Sequence, residues 1–338
     1  MKNTHTYLSL IGSGLIMMIA GCTPTTADNK DESGKSLPDT GVRQEMEQMF
    51  VYELQTQNVN EDNFLNRVES LSENDGMQPD YFSQSDDKSL NYTDEKQDIY
   101  FSQDAETGNL YFNRYIGKYL GDYRPELPDQ EESNELAREF LINYKLLPQE
   151  KEQMKLLHSG GLRADTEKGD VIDKMRTITF GRILDGVPVM GAGSKIVVQI
   201  GEQGEVTGLV HKWREVNSRN RKAISQKELI PEEEARKAFT EGVYREFGKD
   251  VQVKIEEIKL SYYDGDGRYI QPAYGIRAVV VVPINEKQTN ELPYMTFVAA
   301  LQNPPEGLNL KAGAQEAQEM IRMQKDQEGK PNSEENTD

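Results

Sequence analysis

Thiol and imidazole chemistry is sparse in this chain, which has one cysteine, Cys22, and three histidines, His5, His158 and His211. A lone thiol permits no intramolecular disulfide and no cysteine-based zinc or redox centre. His211 lies beside Trp213 in a strand-like stretch and reads as a satisfied surface histidine rather than a ligand or base. Ser194 falls in GAGSKI, which is not the GxSxG elbow of an activated serine, and reads as the start of a strand. The string Ser33 to Ser36 (SGKS) echoes the end of a phosphate loop, but Asn29 stands where that loop's first glycine belongs. Asp264 and Asp266 in DGDG offer two oxygens to a calcium ion. A full calcium loop, however, needs a glutamate at its twelfth position, which here is Gly275, so a hairpin turn is expected. The glutamates between Glu232 and Glu246 read as a solvated helix face. Tyr100, Tyr111, Tyr115, Tyr262, Tyr263 and Tyr269 belong to strand-like stretches; they read as cover for a half-buried sheet face, with an aromatic surface for a partner or glycan as the sharper alternative. None of these constellations assembles an enzyme, a metal site or a cofactor site.

The termini carry a different kind of chemistry. Lys2 precedes the apolar run Tyr7 to Ala20 and small residues follow it, the pattern of a signal peptide over residues 1–21. The run is shorter than the ~20 residues needed to cross ~30 Å of hydrocarbon. The junction Ile19, Ala20, Gly21, Cys22 resembles the lipobox of bacterial lipoproteins. That resemblance implies a Cys22 thiol carrying diacylglycerol as the new N-terminus, held at a membrane by acyl chains worth about 0.8 kcal/mol per buried methylene. Residues 22–41 are polar and read as a flexible tether. Residues 312–338 read as a polar tail with a frayed helix at 314–323. With 39 basic against 58 acidic residues the formal charge is -19, which argues against nucleic acid as a partner and against a body lying on an anionic bilayer. Thr23 is not the aspartate that retains some lipoproteins at the inner membrane, so an outer membrane, where the host has one, is the expected address.

The remaining residues must build the body. Val42, Met46, Met49, Phe50 and Leu54 recur at helical spacing and predict a helix over 42–56; residues 74–94 read as an acidic loop. Alternating aromatics predict a hairpin of 98–103 and 110–116, and a helix is expected at 134–146 with Ser133 as its cap. Strands at 175–184, 195–200 and 206–213, separated by DGVPVMGAG and GEQGE, predict an antiparallel meander. A helix beginning near Pro231 is followed by strands at 254–263, 269–282 and 294–301. The expected fold class is α+β, with helices packed on curled antiparallel sheets.

At this point a family resemblance enters. AREFLINYKLL (137–147), GVPVMG (186–191) and SKIVVQIGEQGEV (194–206) are similar to the FTP domain in propeptides of fungalysin and thermolysin metalloproteases. ISQKELIPEEEARKAF with SYYDGDGRYIQPAYGIRAVV resembles the PepSY domain that often follows it. The resemblance implies two propeptide-like units in tandem: an N-terminal α+β region at 42–130, an FTP-like domain at 131–220 and a PepSY-like domain at 221–311. The chain departs from the family in two ways. TFGRILD replaces the usual glutamine and aromatic before GVPV, and no protease follows, because HExxH needs paired histidines while His158 and His211 stand alone. By analogy, the chain is expected to be a lipid-anchored, non-enzymatic module that restrains or assists a secreted or envelope protein, such as a protease. The alternative is an accessory regulator of a membrane signalling kinase or transporter. The expected contact is Gly186, Val187, Pro188, Val189 and Gly191, where glycines would let a partner's backbone approach and an open sheet edge would accept its strand.

Overall fold

The structure is a computed structural model that describes residues 48–72, 82–84, 88–165, 170–217, 220–285, 288–308 and 310. Cys22, the signal peptide, the tether and the tail at 312–338 lie outside the described residues.

In chain order the elements are β1 (Met49–Glu53), α1 (Glu61–Ser72), β2 (Phe82–Gln84), β3 (Ser89–Asp94), β4 (Ile99–Asp104), β5 (Leu110–Arg114) and α2 (Gln130–Asn143). Then come β6 (Met154–Asp165), β7 (Val171–Leu184), β8 (Val187–Gly191), β9 (Lys195–Ile200), β10 (Val206–Lys212) and β11 (Lys222–Ile224). The last are α3 (Glu232–Phe247), β12 (Gln252–Asp264), β13 (Tyr269–Asn285) and β14 (Gln288–Ala299). Two compact units result: a larger one of Phe50–Ala223 with Ser261–Gln271, and a smaller one built mainly from Ile224–Leu260 and the chain from Pro272 onward. The region before 131 therefore does not stand apart, since from Phe50 on it shares the larger unit's core.

In the larger unit α1 and α2 cover one face of the sheet. Asn60 accepts from the Asn63 amide at 2.8 Å to start α1, whose Phe64, Val68 and Leu71 are spaced by four and three residues and are buried. They pack with Ala137, Phe140 and Leu141 of α2 against Tyr92, Phe101, Phe112, Ile178, Phe180, Val198 and Leu209. In the smaller unit Ala235, Phe239 and Val243 lie along one side of α3 and pack on Ile276, Ala278 and Val280 of β13. Three glutamates in the first turn favour the positive end of the α3 dipole, and Gly248, at φ 94°, ends the helix.

Several expectations are corrected. The fold is not helices on curled antiparallel sheets: fourteen strands form a mixed sheet, β8 runs parallel to β12, and the described residues hold three α-helices. Residues 49–53 of the expected first helix form β1, because Met49, Phe50, Val51 and Tyr52 are better suited to a pleated surface and Tyr52 pairs with Ile270. Within the expected loop, Phe82–Gln84 and Ser89–Asp94 pair as strands. The cap of α2 is Asp129, whose carboxylate accepts from the Glu132 amide at 2.9 Å; Ser133 lies inside the helix and is buried.

Candidate functional site

The expected contact segment starts at a tight turn. Asp185 and Gly186 have φ of 50° and 76°, the paired positive values of a type I′ hairpin, and this turn sets Leu184 opposite Val187. The Asp185 carboxylate accepts hydroxyls from Tyr52 and, at 3.0 Å, from Tyr262, with the Arg221 guanidinium 4.0 Å away and stacked 4.3 Å over Phe50. Burial, followed by these hydrogen bonds to Asp185, pushes the Tyr52 phenol up to about 12. Val187 and Val189 are buried and Pro188 is half-buried.

Each half of this segment is already paired with a neighbouring strand of the chain. β8 pairs with β7 on one side, and on the other Val189, Met190 and Gly191 pair with Tyr262, Tyr263 and Asp264 of β12. The glycines do receive a close backbone, but it is the chain's own. A Cβ on Gly191, at φ 108°, would lie 2.2 Å from the Asp264 carbonyl oxygen, and one on Gly193 would lie 2.4 Å from the Asp264 carboxylate. Gly193 donates its amide to that carbonyl at 3.0 Å. The close approach expected of a partner's backbone is made, at Gly191 and Gly193, by β12 of the same chain.

The acids of DGDG complete this junction. Asp264 is buried; it accepts the Ser194 hydroxyl at 2.7 Å and the Asp266 amide at 2.9 Å, and burial raises its pKa against both bonds. Asp266 accepts the Asn109 amide at 2.8 Å and pairs with Lys212 at 3.1 Å and Arg214 at 3.7 Å. Their oxygens are engaged by the chain's own donors, which makes the loop a structural turn. Ser194 thus bonds a carboxylate rather than an imidazole. Half-buried His211 meets the Leu146 carbonyl at 3.0 Å, so its Nε2 carries the proton and donates. Burial, with nearby Arg67 adding to it, lowers its pKa to about 4. His158 is exposed on β6, and no cluster of three or more His, Cys, Asp or Glu suited to a metal occurs among the described residues.

Two features escaped the sequence reading. Arg182 of β7 is fully buried, stacked 4.3 Å over the Trp213 ring and donating to the Arg214 carbonyl at 2.6 Å. Burial lowers its pKa to about 10, against the pull of Asp264, Glu215 and Glu150, and it stays charged at neutral pH. The signal was an arginine on the core parity of an apolar strand, two positions after buried Phe180. The second feature is β6, a strand of 12 residues paired with β7 alone among the described strands. Register shifts fall at Leu156/His158 and at Leu162/Arg163, leaving a regular stretch from His158 to Leu162. Leu156 and Leu157 are exposed there, and the Gln130 side chain donates to the outward Ser159 carbonyl at 3.3 Å.

No family model matches the chain and no curated protein matches it. A crystal structure of an uncharacterized protein from Eubacterium rectale is similar at 13% identity, with a TM-score of 0.42, over 77% of this chain and 85% of that one.

Proposed function

We propose that this chain is a lipid-anchored, extracytoplasmic, non-enzymatic binding module that holds an extended segment of a secreted or envelope protein, such as a protease, along the outer edge of β6. The observation that carries this reading is that edge. It is 12 residues long, contains Gly160 and Gly161 and no proline, and has Leu156 and Leu157 exposed beside it. The other edges are blunted: β2 and β11 have three residues each, and β14 carries Pro293, which has no amide to give.

The alternation of an antiparallel ladder turns every second residue outward. With the Ser159 carbonyl facing out, Gly161 also faces out, and Gly161→Pro removes an outward donor while leaving the bonds to β7 in place. The test places a photo-crosslinking residue at Leu157 in the full chain, in its host, and identifies captured proteins by mass spectrometry. One secreted or envelope protein is expected, with capture falling at least tenfold in Gly161→Pro at unchanged melting temperature. Equal capture by wild type and Gly161→Pro overturns the assignment to this edge.

A further inference from the structure

We infer that the outward face of β3, β4 and β5 is a binding surface for a neutral carbohydrate chain, separate from the β6 edge. The register puts Asn91 opposite Ser102 and Ser102 opposite Tyr111. One step along the strands, Thr93 opposes Tyr100, Tyr100 opposes Asn113, and Asn113 opposes Gly208 of β10. The alternate residues Tyr92, Phe101, Phe112 and Leu209 point the other way and are buried under the helices, so these side chains share the opposite face. All six are half-buried or exposed.

Their chemistry selects the ligand. Two phenols, two amides and two hydroxyls adjoin one another without a charge, in a chain where 29% of residues are charged. Charge returns at Asp104 and at Lys212, whose amine lies over the Tyr111 ring. The Asp104 carboxylate is taken up by the Glu106 and Thr107 amides, and the Lys212 amine pairs with Asp266. A phosphate, sulfate or acidic peptide would have to compete with Asp266 for the Lys212 amine to repay its desolvation. A pyranose ring has an apolar C–H face that stacks on an aromatic ring, and a girdle of hydroxyls that both donate and accept, as amides do.

The face is also pre-set. Tyr100 and Tyr111 are diagonal neighbours on adjacent strands, roughly 7–8 Å apart at the backbone, and the Lys212 amine lies 5.5 Å from the Tyr111 ring centre. Gly208 closes the second row, buried beneath the side chains of Gln199 and Asn113. A Cβ there would lie 2.2 Å from Gln199 Oε1 and 3.0 Å from Asn113 Oδ1, so only glycine lets both amides lie over β10.

The test is calorimetric titration of the detergent-solubilised full-length protein with hexasaccharides of glucose, N-acetylglucosamine, mannose and galactose. Binding of at least one is expected, weakened at least tenfold by Tyr100→Ala or Tyr111→Ala and severalfold by Asn113→Ala. Thr93→Arg, at an exposed position, is expected to weaken the same sugar at unchanged melting temperature. No heat with any of the four sugars overturns the proposal, and so does undiminished binding by the Thr93→Arg and Tyr111→Ala variants. Loss of protein capture at β6 would leave it standing.

Discussion

At the scale of single residues, the junction around Asp264 shows why four small residues sit together in GAGS. Gly191 takes a φ of 108° that L side chains rarely adopt, and its missing Cβ leaves room for the Asp264 carbonyl. Gly191→Ala adds backbone strain to a backbone clash and is expected to cost about 3 kcal/mol or more. Ser194→Ala strips a buried carboxylate of one donor, which costs about 1–3 kcal/mol. Urea unfolding of the two variants checks both, and an Ala at 191 tolerated within experimental error would show that β8 and β12 are not in tight contact. Arg182 poses the opposite question, because a buried guanidinium is costly to desolvate and its partners are a carbonyl, a ring and distant carboxylates. Arg182→Ala removes the packing on Trp213 and should lose about 3 kcal/mol, whereas Arg182→Met fills much of the space and should stay within about 1 kcal/mol of wild type. If Met is as damaging as Ala, the charge itself is required.

At the scale of elements, helix ends and hairpins follow local rules. Asp129 is the only side chain seen to cap the start of α2, so Asp129→Ala is expected to cost about 1 kcal/mol and to speed amide exchange over the first turn of that helix. The same local rules explain what could be read in advance. The hairpin of β4 and β5 was visible because Tyr100, Phe101, Tyr111 and Phe112 alternate across a turn at Gly108, and α3 because Pro231, its glutamates and Gly248 mark both ends. β6 was not visible: its two register shifts break the period of two, and its glycines and exposed leucines carry no inside-outside pattern. β8 hid behind Pro188 and two glycines, which are loop signals in isolation and are overruled here by pairing first with β7 and then with β12. Met46, Met49 and Phe50 also fit a helical stripe, and only the partner strand, far along the chain, decides for β1. At Gly186 to Gly191 the glycines signal a close backbone approach, and the backbone that lies against Gly191 is that of β12. The neutral face of β3 to β5 was legible only as a list of tyrosines, since its lack of charge appears once the register sets the strands side by side.

At the scale of the whole molecule, acidity acts on stability and on place. Two groups, half-buried His211 and buried Asp264, pull stability in opposite directions with pH. The unfolded His211 binds its proton near the ordinary value of about 6.5 and the folded one only near 4, so between these the unfolded state holds more protons and stability rises with pH. Asp264 has a raised folded pKa, so the folded state holds more protons above the usual carboxylate value and stability falls as pH rises through that window. His211→Gln keeps a donor for the Leu146 carbonyl and removes the titration. Its urea midpoint should therefore flatten between pH 4 and 6.5 relative to wild type, by no more than about 3 kcal/mol across the window. Unchanged slope there would mean His211 is as free to protonate folded as unfolded. The proposed anchor makes the last prediction. The net charge of -19 repels anionic headgroups, so under this proposal the hold on a membrane is assigned to acyl chains on Cys22 rather than to electrostatics. Cys22→Ser is then expected to move the protein from the detergent phase to the aqueous phase in a partition experiment and to abolish incorporation of labelled palmitate, while the folded body keeps its melting temperature. A serine variant that stays with the membrane would mean that something other than lipid holds it, and the partner at the β6 edge would be the first place to look.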